Sequence, residues 1–310
     1  MMGTLLMAAL LLGLLEACSG AAPGRAVEDG RLQVVATTSI VGDVVRQVGG
    51  EWIDLLVLIP QGSDPHSFQA TPQDMAKLAE ADVIFANGAG LEAFLPTVVK
   101  SVGRQERVVE LAEAVPLRQL EADHRDTDGE HEGETGVDPH VWLDPNNVMI
   151  WADEIARVLG DLDPEHRAGY QANAGRYRDE LSDLDAWIRD QVASIPEARR
   201  KIVTDHAVWG YFADRYGFEQ VGALLPGFST LSEPSASDLA ALSQAIREQE
   251  VPAIFVGTTT NPALARQLAN DLGIRVVEVL TGSLSPEAPD YLSYMRYNVS
   301  RIVEALSADD

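Results

Sequence analysis

The run Asp138-Pro139-His140-Val141-Trp142-Leu143-Asp144-Pro145 sets a histidine and a tryptophan between two Asp-Pro pairs. That combination fits neither an ordinary core segment nor an ordinary turn. Two more histidines stand in comparable settings far away in the chain: His66 in Ser63-Asp64-Pro65-His66-Ser67-Phe68, and His206 in Thr204-Asp205-His206-Ala207. The chain has six histidines in all, so these three make up half of its imidazole. Neutral imidazole is the commonest protein metal ligand, and three of them serve zinc well. His66, His140 and His206 are therefore candidate metal ligands. Asp138, Asp144 and Asp205 flank them and are candidate acceptors for the second imidazole N–H, although such aspartates also cap turns and helices.

Working outward, short apolar runs alternate with longer amphipathic ones from Leu32 onward. Residues 32–38, 53–59, 82–88 and 107–110 read as strands, the second as a strand covered on both faces. A helix is expected over about 40–48, and another opens at Thr71-Pro72-Gln73-Asp74, with threonine as N-cap and proline at the first helical position. Asp144-Pro145 opens a helix after His140. Asp163-Pro164-Glu165 then reads as the start of the longest helix, reaching to about 194 and stopped by Pro196, over ~40 Å at 1.5 Å per residue. A second alternating series follows. Strands are expected at 201–204, 218–225, 253–257 and 274–279, and helices at 208–216, 237–250, 262–272 and 290–306, with Ser235 or Ser237 capping one of them. Such alternation specifies an α/β fold: two lobes, each a mostly parallel sheet flanked by helices, joined by one long bridging helix. The expected divisions are an N-terminal lobe over 32–162, the bridging helix over 163–196 and a C-terminal lobe over 197–310. His66 and His206 come after strands, as does Asn87-Gly88, a candidate wall element. The carboxyl ends of strands line the crevice of open α/β sheets, so a site between lobes is expected.

Composition narrows the function. A length of 310 residues suits two domains, and 46% hydrophobic content with 23% charged residues describes a globular chain. A formal charge of -25 repels nucleic acid phosphates and excludes that partner class. Residues 5–15 are almost wholly apolar, the length of a signal-peptide core and too short to span a bilayer. They lead into Leu15-Glu16-Ala17-Cys18-Ser19-Gly20, and Cys18 is the only cysteine. This resembles a bacterial lipobox, which implies a signal peptide over 1–17, lipidation of Cys18 and a small-residue tether over 18–31. Residues 121–135 hold seven acids and two histidines, His124 and His131, with no large apolar residue. They read as a mobile acidic loop, a solvated linker or a weak gatherer of metal. His166 is expected to face solvent. Trp142 and Phe68 are expected to exclude water near the site or to pack in the core. No glycine-rich phosphate loop, Gly-x-Ser-x-Gly elbow or His-Glu-x-x-His helix occurs.

Together Asp64-Pro65-His66, the Asp-Pro-His-x-Trp-Leu-Asp-Pro string, Asp205-His206 with Tyr211-Phe212, the long helix and Tyr294-Met295-Arg296-Tyr297-Asn298 resemble the metal-binding solute receptors of ABC importers, the cluster A-I family. The resemblance covers nearly the whole mature chain. It implies that His66, His140 and His206 are ligands and that the long helix lets the lobes move little. It also implies an extracytoplasmic, lipid-anchored, monomeric receptor that hands its ion to a permease with an ATPase subunit. Family members commonly place an aspartate, the fourth ligand, where this chain has Gly282 in Leu280-Thr281-Gly282-Ser283-Leu284. That leaves the position to water, a nearby carboxylate or nothing. Manganese favours carboxylate oxygens, whereas three imidazoles with one open position suit tetrahedral Zn²⁺. Zinc is expected, with Mn²⁺ or an adhesin of the same family as the alternative. A zinc hydrolase is the rival of another class, since three histidines and water also form catalytic sites. No general base stands at motif spacing for it.

Overall fold

The protein is described by a computed structural model over residues 30–119 and 136–307. The signal peptide, Cys18, the tether as far as residue 29, and the acidic loop with His124 and His131 lie outside the described residues.

Two four-stranded parallel sheets form the frame. The first contains β1 (Leu32–Ala36), β2 (Ile53–Val57), β3 (Val83–Ala86) and β4 (Val108–Glu110), in the order β2-β1-β3-β4. The second contains β5 (Lys201–Thr204), β6 (Glu219–Ala223), β7 (Ala253–Gly257) and β8 (Arg275–Val279), in the order β6-β5-β7-β8. Each sheet therefore reverses direction beside its first strand, and that reversal opens a crevice at the strand carboxyl ends. Around the first sheet lie α1 (Ser39–Gly49), α2 (Pro72–Glu80) and α3 (Leu95–Val102). Around the second lie α6 (Gly210–Tyr216), α7 (Ala236–Glu248), α8 (Ala263–Leu272) and α9 (Tyr291–Ser307). Between the two series run α4 (Pro145–Leu162) and α5 (Arg167–Val192).

The local signals act through identifiable hydrogen bonds. Thr71 caps α2 in a reciprocal box with Asp74, and Ser235 caps α7 in the same way with Asp238. Asp144 caps α4 by accepting from Asn146 N, with Pro145 at the first helical position. Two expectations need correcting. Residues 53–59 are apolar, but β2 pairs with β1 at the margin of the sheet. Asp54 is exposed there, and three of its neighbours are only half-buried. The long helix starts at Arg167, not at Asp163. Asp163 sits in the turn after α4, where its Oδ2 accepts from His166 Nδ1 at 2.7 Å and from Tyr170 OH at 2.9 Å. His166 accordingly does not simply face water. It stacks on Trp52 with ring centroids 5.3 Å apart.

The 26 residues of α5 span about 39 Å. They bury one narrow stripe: Tyr170, Ala174, Tyr177, Leu181, Leu184, Ile188 and Val192. This stripe joins a continuous core holding Val34 and Phe85 from the first sheet, Trp151 and Ile155 from α4, and Phe255 and Val279 from the second sheet. Smaller apolar clusters cover the outer faces of the two sheets. The long helix packs on α4, α1 and α9 and so joins the core that both halves share.

Two glycines of α5 make opposite predictions. A methyl at Gly169 would run into the indole of Trp52, while one at Gly175 meets nothing within 4 Å. Gly175→Ala should stabilise the protein by up to about 1 kcal/mol through helix propensity. Gly169→Ala should lose about 1–3 kcal/mol to overpacking against a rigid, stacked ring. Urea denaturation of the two variants beside the parent measures both signs.

Candidate metal centre

Each of the three histidines is placed by a different element. His206 follows β5 directly: Asp205 N continues the ladder to Phe255 O at 3.1 Å, and Thr204 Oγ1 donates to His206 O at 2.6 Å. His140 lies between β4 and α4. Asn87, at the end of β3, donates to Pro139 O at 2.9 Å, and Asn147 of α4 donates to Val141 O at 2.9 Å. His66 stands on the loop after β2. Its backbone N–H donates to Asp64 Oδ1 at 3.0 Å, and Asp64 Oδ2 accepts from Thr230 Oγ1 at 2.6 Å. A residue of the second half thereby anchors the loop of the first.

The three side chains converge. Their ligand nitrogens lie within 4.8 Å of one another, and His140 Nε2 is 3.3 Å from both His66 Nε2 and His206 Nε2. A tetrahedral zinc with metal–nitrogen bonds of about 2.0–2.1 Å has nitrogen–nitrogen edges of about 3.3–3.4 Å. The rings are oriented from behind. His140 Nδ1 is 2.8 Å from Asp138 Oδ1, and His206 Nδ1 is 2.9 Å from Asp205 Oδ1. With both Nδ1–H groups donated to carboxylates, the Nε2 lone pairs of these two rings face the same gap. Such an arrangement is repulsive until a cation enters it.

Burial works against protonation of His66 and His140. Burial holds the His66 pKa at about 3, reinforced by His140 and His206. Burial likewise depresses His140 well below the usual imidazole value, His206 adding to it. The two supporting carboxylates differ. Asp205 stays below the usual carboxylate range because it is hydrogen-bonded on every side. Its Oδ1 accepts from His206, and its Oδ2 accepts from Gly257 N at 2.9 Å and Thr260 Oγ1 at 2.5 Å, which together outweigh its burial. Asp138 is pushed up to about 7 by desolvation, against the pull of the His140 N–H and Arg118.

The remaining sequence candidates divide. Asp138 and Asp205 stand behind the His140 and His206 rings. Asp144 does not: it accepts from Asn146 and pairs with Arg215 at 3.2 Å, so it serves the cap and not an imidazole. Trp142 is fully buried, 5.3 Å from the His140 ring, and donates to Thr281 O and Tyr294 OH. Phe68 packs on Phe94, not on a histidine. Asn87 fixes the His140 loop, in keeping with a wall position. At Gly282 a Cβ would sit 2.7 Å from Pro65 Cδ, so the missing side chain makes room for the segment that carries His66. Three participants escaped the sequence reading: Thr230, Phe228 with its ring 6.3 Å from His140, and Arg118 against Asp138. Nothing in their sequence neighbourhoods marks them, because their contacts come from distant parts of the chain.

The supporting carboxylates make the site testable. Asp205→Ala should raise the dissociation constant of a bound divalent cation by about 10–100-fold, the usual cost of removing a group that orients a ligand. Competition with a chromophoric chelator reads this directly.

Comparison with known proteins agrees with the geometry. Residues 34–305 match the family model described as ZnuA, zinc-uptake complex component A, periplasmic. The chain is 33% identical to the manganese-binding lipoprotein MntA of Halalkalibacterium halodurans, over 96% of each sequence. It is 31% identical to the manganese ABC transporter substrate-binding lipoprotein PsaA of Streptococcus mitis, over 99% of each. Among solved structures, the periplasmic zinc binding protein TroA of Treponema pallidum superposes with a TM-score of 0.79 at 28% identity, covering 90% of this chain and all of that one. Two parallel sheets, a long helix between them and three converging imidazoles thus come together in one chain, which belongs to the ZnuA family of metal-binding receptors of ABC importers.

Proposed function

We propose that this extracytoplasmic receptor captures Zn²⁺ with His66, His140 and His206 and delivers it to an ABC permease driven by an ATPase subunit. The observation that carries the reading is the pair of 3.3 Å Nε2–Nε2 edges meeting at His140. The candidate donors are three imidazole nitrogens, and no carboxylate belongs to the converging group among the described residues. Imidazole suits zinc, whereas manganese prefers oxygen ligands. Manganese is the second reading, favoured by the names of the most similar lipoproteins. The ion is cargo and the protein does no chemistry on it.

We take the lobes as 32–162 and 197–310 with a bridging segment over 163–196, a division supported by the helix over 167–192 lying inside that middle segment. A lipid on Cys18 would hold a monomer at the membrane surface. The lipoprotein relatives support that reading. Among the described residues no helix is long and apolar enough to cross a membrane.

Replacing His66, His140 or His206 singly with alanine should weaken zinc binding by more than the ~10–100-fold typical of losing an orienting group. Calorimetry measures each; unchanged affinity in all three would remove the site. Native mass spectrometry after exposure to equimolar zinc and manganese should show the zinc adduct in excess. A manganese adduct in excess would establish the second reading.

A further inference from the structure

Asp138 is wholly buried, and its two carboxylate oxygens are treated differently. Oδ1 accepts from both the backbone N–H and the Nδ1–H of His140, at 3.0 and 2.8 Å. Oδ2 has no hydrogen-bond partner. The cation set against it is Arg118, whose Nη1 lies 3.6 Å away. The same guanidinium reaches across to α6, where its Nε donates to Asp214 Oδ2 at 2.7 Å. The main chain of Arg118 also encloses Asp138. Arg118 O accepts from Asp138 N at 2.9 Å, and Arg118 N donates to Tyr211 OH, which donates in turn to Asp138 O.

Space for this contact is reserved by Gly210, the first residue of α6. A Cβ there would run into the guanidinium and stand 2.7 Å from Asp138 Oδ2. Gly210 is not in the left-handed region, so its backbone does not require glycine. The close approach does.

Resting on the receptor reading above, we infer that Arg118 is a positioning residue for metal binding: through Asp138 it fixes the plane of the His140 ring, and through Asp214 it ties that ring to the half of the molecule that carries His206. A buried carboxylate oxygen without a donor is held in place only by the charge opposite it. Without the guanidinium, the Asp138 carboxylate has no fixed plane on its Oδ2 side. His140 then keeps its acceptor but loses the direction in which its Nε2 points. The metal-facing lone pairs of His140 and His206 no longer meet at one point, and the loss appears as faster release of the ion.

The test is a double-mutant cycle read by cation affinity and release rate on the full chain. Arg118→Gln should raise the zinc dissociation constant on the order of 10-fold, mostly in the release rate. It should also alter the visible absorption of the cobalt-loaded protein, which reports ligand geometry. In an Asp138→Asn background the same change should cost less than about 2-fold, because the group it acts through is already altered. Arg118→Lys should recover only part of the affinity, since a point ammonium cannot face both aspartates as a planar fork does. Equal losses in both backgrounds, or an unchanged dissociation constant and cobalt spectrum in Arg118→Gln, would overturn the inference. Should Arg118→Gln fail to fold, Asp214→Asn weakens the hold on the guanidinium with Arg118 still present and runs the same cycle. A parent protein that binds no divalent cation would overturn the receptor reading itself, a result distinct from any of these.

Discussion

Two lone pairs turned toward one point are the constraint around which this molecule is organised. An imidazole has two nitrogens, and the one that carries the proton is set by its partner. Asp138 and Asp205 take the Nδ1–H groups of His140 and His206, so the Nε2 atoms are left as bare donors 3.3 Å apart. Removing the His140 ring from water adds the second half of the device, because desolvation works against its protonation. A divalent cation resolves the conflict of lone pairs, and the energy otherwise stored as their repulsion becomes part of the driving force for binding.

Holding that geometry takes contacts from across the chain. β3 supplies Asn87, α4 supplies Asn147 and β5 supplies Asp205, each fixing one backbone or ring position near the gap. α9 adds Tyr294 and Asn298, which clamp the strand end at 280–281 against Trp142. Because α5 joins the core that both halves share, the ligands brought by β2 and β5 face each other on a shared, packed base. His66 is the exception in burial and support. It is partly exposed, it comes on a loop, and that loop is fastened by Asp64 to Thr230 on the opposite side. Of the three ligands it is the one placed to give an ion passage in and out.

The elements were largely legible because their signals are local. Thr71 and Ser235 cap helices within four residues of themselves, and the apolar runs of β1, β3 and β7 need no partner to be recognised. Errors arose where a distant contact decided the outcome. The strand at β2 reads as covered on both faces from its nearly continuous apolar run, yet it lies at the margin of the sheet and is only half-buried there, because strand order is encoded by no local pattern. The Asp163 error is of another kind, a competition among neighbours: it reads as a helix cap, but His166 and Tyr170, three and seven residues on, draw its carboxylate into a turn and α5 begins later.

The sequence by itself determined which residues are candidate metal ligands and that His66 and His206 follow strand ends, since the Asp-Pro-His string and the histidine count are written in the chain. Tertiary structure alone decided that three imidazoles 140 residues apart from first to last share one point, that Asp144 serves a cap while Asp138 and Asp205 serve rings, and that Arg118 lies against Asp138. The reason is physical: a side chain's chemistry belongs to its residue, but the direction of a lone pair is set by whichever group folding places behind it.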